Sequence, residues 1–533
     1  MSDARRVLEI NDLCVTKSGA QQPELDRFSL SLDAGQTVVV LGEDGSGKEA
    51  LMRVLGGFAD RSDAISGTLG FGNGEARSAA RRARATIPIA YLPNPLARPF
   101  APHASVQSQL IRLLARKLGS PHASAREELR IAFERLDGAP PFSALDQKPA
   151  ALDPMITAYG LIAAVSAPAP ELVLADHAFA DLGPSAIRLL LKVLADEQQR
   201  LGFALVYATG GLQPAARLGG RVIVIRGGRV VEEGDAARLA SGHAHAYTQT
   251  LFKALPQLSL DRPKARSAAR GQPLLQVYGL DLGRSRKAAT APSARDGITF
   301  ELRRGASLAL VGEEGSGRRE LARAVLGLDH APAGRVVFDA VDLNILSQTM
   351  TSRLRRRIAF ITGADDALDP RMTLWDTVDE PLRAHLKLSG DLVAGYREAA
   401  LTRVGLASHD GKRSVATLSA FDKRRLQVAR AIVGAPLLAV VDEPLRGLDA
   451  FAQTIMREVL TDFRTHHGPA FLVITSDFTV AQALAEEVMV FHDKKIVERG
   501  PIVDVLRAPK EAVTRDLIAA VTLPGLSQNP PPV

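Results

Sequence analysis

The sequence predicts an α/β protein made of two similar halves, each with a mainly parallel β-sheet flanked by helices. Short apolar runs alternate with helical segments along the chain, which is the pattern of a parallel sheet with crossover helices. Three blocks of sequence also occur twice at nearly the same separation, which indicates a tandem duplication. The 533 residues are too many for one ordinary core and suit two domains of about 250 residues each.

The repeated blocks define the two halves. The first block is an apolar strand that runs into a glycine-rich loop and a helix, with loops that begin at Gly42 and Gly312, 270 positions apart. The second is an apolar strand that ends at Asp176 and again at Asp442, 266 positions apart. The third block is RVIVIRGGRVVEEG at 221–234 and EVMVFHDKKIVERG at 487–500, again 266 positions apart. Three blocks in register favour duplication of a whole domain over chance similarity.

Domain boundaries follow from the repeats and from composition. Each domain opens with a β-rich stretch and carries a long helical insert between its glycine-rich loop and its aspartate strand. The connection between the domains is polar, basic and bounded by proline, as expected of a linker. The predicted units are a first domain at 1–256 with an insert at about 96–165, a linker at 257–273, a second domain at 274–524 with an insert at about 364–430, and a flexible tail at 525–533.

Composition excludes several classes of protein. The single cysteine, Cys14, cannot form an internal disulfide or an intramolecular multi-cysteine metal site, and a reducing cytosol is the simplest compartment. No run of about 18 uncharged apolar residues is present, so a role at a membrane is expected to come through a partner. The net charge of +7 comes mostly from arginine, and a solvated basic surface explains it more simply than a nucleic-acid partner.

The glycine-rich loops predict phosphate binding. In the pattern Gly-x-x-x-x-Gly-Lys-[Ser/Thr], backbone N–H groups converge on anionic oxygens at a helix N-terminus, the lysine reaches the phosphates and the hydroxyl holds Mg²⁺. The first loop keeps the lysine but has glutamate for the hydroxyl residue, and the second has arginine at both positions. The candidate nucleotide-binding residues are Gly42, Gly45, Ser46, Gly47, Lys48 and Glu49 in the first loop and Gly312, Gly315, Ser316, Gly317, Arg318 and Arg319 in the second.

The two aspartate strands predict the metal-binding edge of each site. A carboxylate at this place holds the water shell of Mg²⁺ opposite the phosphate loop, which makes Asp176 and Asp442 the candidate metal residues. Glu443 follows Asp442 and is the candidate general base. His177 follows Asp176 in the first half. Because histidine is shorter than glutamate and neutral near pH 7, it is not expected to replace the base.

Together with the stretch LSAFDKRRLQVARAIVGAP at 418–436, these residues resemble the ATP-binding-cassette (ABC) ATPases over nearly the whole chain. The resemblance implies two tandem P-loop NTPase (ABC cassette) domains that bind ATP and Mg²⁺, the metal being held through water by Asp176 and Asp442. It also implies that Ser419, in the signature segment, approaches the nucleotide of the opposite half. The equivalent segment of the first half contains Pro154, which lacks an amide donor.

Three further stretches narrow the resemblance to the oligopeptide and dipeptide importers, where fused double cassettes occur. They are AYTQTLFKALP at 246–256, LDPRMT at 368–373 and EPLRAH at 380–385. The resemblance implies a cytoplasmic protein, peripheral on the inner face of the membrane, whose two cassettes form an intramolecular pseudo-dimer. Its implied partners are permease subunits and, through the complex, a periplasmic or extracellular solute-binding protein, with no nucleic acid.

Departures from the family pattern leave alternatives open. The first half has Lys48 but no glutamate base, and the second has Glu443 but no lysine, so the surviving parts belong to different sites. One interpretation is the ATP-binding subunit of a peptide importer with weak or lost hydrolysis, and the other is a non-hydrolysing pseudo-ATPase that scaffolds or regulates a permease. A ribosome-associated double-cassette factor is a remote alternative, since those factors carry a long helical linker. The sequence assigns no role to His177, Gly210 or Ser476.

Overall fold

The computed structural model describes most of both predicted halves. The described residues are 5–72, 77–82, 89–94, 96, 99–240, 245–254, 258–260, 271–282, 297–329, 333–343, 354, 356–364, 367–386, 388, 390–406 and 411–523. The predicted tail at 525–533 and most of the predicted linker lie outside them.

Twenty strands are described. They are β1 Arg6–Thr16, β2 Leu25–Asp33, β3 Thr37–Leu41, β4 Ala64–Phe71, β5 Arg77–Ser78, β6 Ala90–Leu92, β7 Leu172–Asp176, β8 Ala204–Thr209, β9 Arg221–Arg226, β10 Arg229–Gly234, β11 Pro273–Asp281, β12 Ile298–Arg303, β13 Ser307–Gly312, β14 Ala333–Phe338, β15 Val341–Asp342, β16 Ile358–Thr362, β17 Leu438–Asp442, β18 Ala470–Thr475, β19 Glu487–His492 and β20 Lys495–Pro501.

Each half has one antiparallel and one mainly parallel sheet, in the same strand order. The antiparallel sheets are β2-β1-β4-β5 and β12-β11-β14-β15. The larger sheets are β6-β7-β8-β3-β9-β10 and β16-β17-β18-β13-β19-β20, parallel except for the last strand of each. The predicted fold class, two α/β cassettes with a β-rich opening and a helical insert, is confirmed.

The described helices surround these sheets. They are α1 Lys48–Leu55, α2 Ala79–Arg82, α3 Val106–Leu118, α4 His122–Arg135, α5 Pro154–Ser166, α6 Pro184–Leu201, α7 Gln213–Leu218, α8 Ala236–Ala240, α9 Ala246–Lys253, α10 Arg318–Val325, α11 Leu374–Pro381, α12 Gly390–Arg403, α13 Ala420–Val433, α14 Ala450–His467, α15 Phe478–Leu484, α16 Ile502–Arg507 and α17 Ala512–Val521. Among them, none is both long and apolar enough to cross a bilayer.

The parallel strands are buried on both faces, which explains their continuous apolar runs. One face of each sheet packs against the antiparallel sheet and the helix after the glycine-rich loop, α1 or α10. The other face packs against the helices of the insert and the helices that follow the aspartate strand. The carboxyl ends of the central strands therefore carry the predicted site residues at one edge of each sheet.

The two halves contact each other through the ends of their last helices. Arg217 in α7 donates a hydrogen bond to the carbonyl oxygen of Ala520 at 2.9 Å, near the end of α17. In return, Thr454 and Arg457 of α14 donate to the carbonyl oxygen of Ala254, at 3.1 and 3.0 Å, just after α9. Each half therefore supplies donors to carbonyl groups at the helix C-terminus of the other.

Candidate functional site

The two glycine-rich loops have the same backbone conformation. Each loop connects the middle strand of a parallel sheet, β3 or β13, to the helix that begins at Lys48 or Arg318. Gly47 and Gly317, the residues before these helices, have left-handed φ angles of 110° and 102°. A Cβ atom at Gly317 would also lie 2.9 Å from the Cα of Lys494. The predicted loop residues of each half are thus brought together in a phosphate-loop geometry that requires glycine.

In the first half the lysine ammonium is already held by neighbouring oxygens. The side chain of Lys48 is fully buried, and its Nζ donates to Glu49 Oε1 at 2.6 Å and to the carbonyl oxygen of Glu43 at 2.8 Å. Asp44 Oδ1 lies 3.5 Å from the same nitrogen. Burial by itself raises the pKa of Glu49, but Lys48 holds it below its usual value. The acid at the position predicted for a magnesium-binding hydroxyl therefore pairs with the lysine that is predicted to bind phosphate.

Asp176 and His177 follow β7 beside this loop. Asp176 Oδ2 accepts a hydrogen bond from the Tyr91 hydroxyl at 2.7 Å, and His177 Nε2 lies 3.8 Å from Glu49 Oε1. Burial, followed by the charge of the loop lysine, lowers the pKa of His177, so the imidazole is neutral near pH 7. Ligand atoms of Asp44, Glu49 and His177 lie within 4.8 Å of one another. These side chains, with Asp176, form an acidic edge able to face a divalent cation.

In the second half the candidate base Glu443 is paired with two arginines. It takes the same backbone position as His177, with a φ of 46° against 48°. Glu443 is 6% exposed, and its Oε1 accepts hydrogen bonds from Arg318 Nη2 and Arg446 Nη2, both at 2.8 Å. Arg318 also donates to the carbonyl oxygen of Gly312. Burial by itself raises the pKa of Glu443, but Arg318 and Arg446 hold it below its usual value.

The second arginine of the loop lies where the metal is expected. Arg319 Nε is 3.4 Å from Asp442 Oδ2, and its Nη1 is 3.4 Å from Glu314 Oε2. Arg446 Nη1 donates to Glu314 Oε1 at 2.5 Å. Burial raises the pKa of Asp442, and the charge of Arg319 opposes this shift. The carboxylates of the second site are therefore matched with guanidinium groups of the same half.

The residues that follow strands β8 and β18 differ between the halves. Ser476 donates to Glu443 Oε1 through its backbone N at 2.9 Å and its hydroxyl at 3.0 Å, and Thr475 Oγ1 donates to Glu443 Oε2 at 3.1 Å. Gly210 instead faces the second half, where its carbonyl oxygen accepts from Ala450 N at 3.1 Å. Ser476 therefore fixes the glutamate, while Gly210 allows close approach of the two halves.

The segments after the aspartate strands meet between the halves. Asp449 Oδ2 accepts a hydrogen bond from the backbone N of Asp44, in the phosphate loop of the first half, at 3.0 Å. A cleft of about 170 Å³ lies at this contact, and both His177 and Glu443 line it. The two base positions thus open onto one cleft, although each belongs to a different half.

The two signature segments form helix caps. Ser419 is the N-cap of α13 and its hydroxyl accepts from Asp422 N at 3.0 Å, while its side chain remains exposed. In the first half Asp153 is the N-cap of α5 and accepts from Met155 N at 2.7 Å, and Pro154 is the first helical residue. Both segments therefore keep the same local structure, but only the second offers an amide at the position after the cap.

Sequence reasoning missed Arg446 and the role of Thr475 and Ser476. Arg446 lies in the turn after Glu443, with its backbone N donating to the Glu443 carbonyl oxygen at 3.2 Å. A signal was present, because an arginine three residues after a buried acid can fold back onto it within one turn. The partners of Ser476 are distant in sequence, so the pattern alone could not identify them.

Comparisons with known proteins agree over most of the chain. The family model described as ABC transporter matches residues 295–446. The glutathione import ATP-binding protein GsiA of Salmonella typhi is 28% identical over 571 aligned residues, which cover 99% of this chain and 92% of the relative. The uncharacterized ABC transporter ATP-binding protein YejF of Escherichia coli K12 is 29% identical over 507 residues, covering 92% of this chain and 94% of the relative.

Two solved structures each cover less than half of this chain. The cbiO1 protein from Clostridium perfringens, part of the ABC transporter complex cbiONQ, covers 47% of this chain and 95% of its own, with 22% identity and a TM-score of 0.40. A dimeric ATP-binding cassette in a post-hydrolysis state, bound to ADP and Pi, covers 43% of this chain and 99% of its own, with 20% identity and a TM-score of 0.39.

Proposed function

We propose that this chain, which is similar to ABC transporter ATP-binding proteins, is the ATP-binding subunit of an importer for peptides or peptide-like solutes such as glutathione. In this proposal its domains, with the boundaries predicted from the repeat, act as an intramolecular pseudo-dimer. Nucleotide binds in the first half, and hydrolysis is weak or lost. The observation that carries the proposal is the ion pair between Arg318 and Glu443, which engages the base candidate away from any substrate.

Nucleotide binding is assigned to the loop at 42–49. Its backbone N–H groups, at the start of α1, are the donors for the phosphates, and Lys48 supplies the positive charge once it leaves Glu49. The oxygen ligands offered by Glu49 and Asp176 fit a hard cation, so these residues would hold Mg²⁺, which neutralises the phosphate oxygens when bound. In the second half the acids are already paired with arginines, so no comparable cation is needed to balance their charge.

Hydrolysis is expected to be close to background because no half combines the required groups. The first half has Lys48 and Asp176, but the neutral His177 lacks the charge with which a glutamate orients water. The second half has Glu443, but five donor groups, two of them positively charged, already surround it. Losses at one catalytic position commonly reach about 10²–10⁴-fold, so several together leave little turnover even without additivity.

A groove on the second half supports the partner assignment. It has a volume of about 300 Å³ and lies between the edge strand β16 and helix α13. Phe360 is 46% exposed there, and Arg356 and Arg430 line the same groove. Arg430 pairs with Glu380 at 2.7 Å, and an apolar side chain flanked by such charged groups fits a cytoplasmic segment of a permease subunit. Through that contact the chain would sit on the inner face of the membrane, in a complex with a solute-binding protein.

The same geometry favours one alternative. If neither half binds nucleotide, the chain would act as a non-hydrolysing scaffold or regulator of the permease. The observation that favours this role is the pairing of the second-half acids with arginines of the same half.

The decisive measurement uses the full chain with its permease in lipid vesicles. We expect bound ATP that is lost in Lys48→Ala and retained in Arg53→Ala, a basic residue of the same helix that pairs with Glu24 instead. We also expect ATP turnover no higher than that of protein-free vesicles. Turnover above that level that disappears in Glu443→Gln would refute the loss of hydrolysis, and absence of ATP binding would favour the scaffold.

A further inference from the structure

The second site contains a complete set of internal counter-charges. Three guanidinium groups, those of Arg318, Arg319 and Arg446, face three carboxylates, those of Glu314, Asp442 and Glu443. All six belong to the second half, and every acid of the set has a guanidinium nitrogen within 3.4 Å. The group is neutral without any ligand. The first site lacks this balance, because Lys48 faces Asp44 and Glu49 alone in its loop.

The innermost pair of this set is buried. The Arg318 side chain is 2% exposed and that of Glu443 is 7% exposed. A buried ion pair persists because separating it leaves an uncompensated charge, and a guanidinium cannot release that charge by losing its proton. Arg318 is therefore not available to move onto an incoming phosphate unless Glu443 is neutralised by something else. In the first half the equivalent lysine has a partner that is 37% exposed and is free to leave.

Arg319 stands where a divalent cation would bind. It is the second residue of α10, at the position of the magnesium-binding hydroxyl, and it approaches Asp442 and Glu314 from one side of the site. Mg²⁺ requires six oxygen ligands in near-ideal geometry, and a guanidinium offers none. Its charge also repels a second cation placed against the same carboxylate. The residues present in the second half do not fit the metal.

We infer that Arg318 and Arg319 close the second site to magnesium–nucleotide, so that the full chain binds one nucleotide, in the first half. The inference rests on the proposed function for the location of the single nucleotide. Beyond that function, Arg318 and Arg319 exclude magnesium–nucleotide from a site that the fold would otherwise allow to bind it. One oxygen of Asp442, Oδ1, is buried without a hydrogen bond to the described residues, and a water molecule fits such an acceptor.

The test counts nucleotides bound per chain by equilibrium dialysis with radiolabelled ATP, in Mg²⁺ and in EDTA. Wild-type protein should bind one nucleotide in Mg²⁺, and Lys48→Ala should bind none. The variant Arg318→Lys/Arg319→Ser restores a lysine and a hydroxyl and should bind two. Adding Lys48→Ala to this variant should leave one nucleotide, now in the second half.

Each outcome decides a separate point. Two nucleotides on wild-type protein, or one retained by Lys48→Ala, would overturn the inference, and binding by Lys48→Ala that persists in EDTA would also identify the arginines as a metal-free phosphate site. No binding by wild-type protein would refute the proposed function and the count of one nucleotide, but a gain of one nucleotide in the double variant would still support the exclusion of nucleotide from the second half. If the double variant fails to fold, Arg319→Ser serves, since that side chain is 42% exposed, and unchanged magnesium-dependent binding there would refute the role assigned to Arg319.

Discussion

The two halves share their backbone but not their charges. The left-handed turns at Gly47 and Gly317 agree within 8°, and His177 and Glu443 adopt the same unusual φ after equivalent strands. In contrast, the first site is rich in acids around one lysine, and the second pairs its acids with arginine. The phosphate-loop fold is therefore maintained by packing and glycine geometry. The acidic and basic side chains of the loop can therefore differ between the halves, as long as they remain paired, without a change in the backbone.

The largest difference between the halves should appear when the base positions are changed. Glu443→Gln removes the charge that Arg318 and Arg446 share in a buried site, and should lower the free energy of unfolding by about 3–5 kcal/mol. His177→Gln in the first half should change it by less than about 1 kcal/mol. Urea unfolding followed by fluorescence of Trp375, the single tryptophan, reports the second half, and circular dichroism reports both. Equal losses for the two variants would contradict the comparison.

A second measurement isolates the contribution of the buried arginine. The variant Arg318→Met/Glu443→Gln also removes the counter-charge. Its free energy of unfolding should be about 2 kcal/mol higher than that of Glu443→Gln, because no unpaired guanidinium remains in the loop. The double-mutant cycle from the same unfolding curves gives this coupling. The matched pair in the first half, Lys48→Met/Glu49→Gln, should show weaker coupling, since Glu49 is partly exposed. Coupling near zero in the second half would mean that Arg318 does not stabilise Glu443.

Nucleotide affinity should respond to the acid that holds the lysine. Glu49→Ser frees the Lys48 ammonium and supplies a hydroxyl for the metal, so the Kd for ATP should fall about tenfold, which is about 1.4 kcal/mol. The control is Glu43→Ser, which also removes a negative charge from the loop, but whose contact with Lys48 is made by the backbone carbonyl. An equal gain in the control would show that general charge, and not the pair with Lys48, limits binding.

The smallest effect concerns the two helix caps. Ser419→Ala and Asp153→Ala each remove a side-chain acceptor at a helix N-terminus and should cost about 1 kcal/mol of stability. Similar losses of stability in the two variants would show that the two signature segments are structurally equivalent, although only one of them contains Pro154. A loss of ATP binding in Ser419→Ala, with stability unchanged, would instead indicate that this serine contacts nucleotide across the halves.

Much of the fold could be predicted because its signals are local and occur twice. The apolar strands, the glycine loops and the aspartate strands each mark an element, and the duplication repeats these elements in the same order. The pairing within the sites could not be predicted in the same way. Arg318 and Glu443 are 125 positions apart, and whether an arginine contacts an acid or a phosphate depends on distances that no local pattern contains. The contact of Asp449 with Asp44 also depends on how the halves meet.

The exchange of donors at the helix ends also limits how the molecule can move. The contacts of Arg217 with Ala520 and of Thr454 with Ala254 lie at two separate places between the halves. The line through these two contacts defines an axis. If both contacts persist, the halves can move relative to each other only by rotation about that axis. Opening of the shared cleft is therefore expected to be a hinge-like rotation with its pivots at the ends of helices α9 and α17.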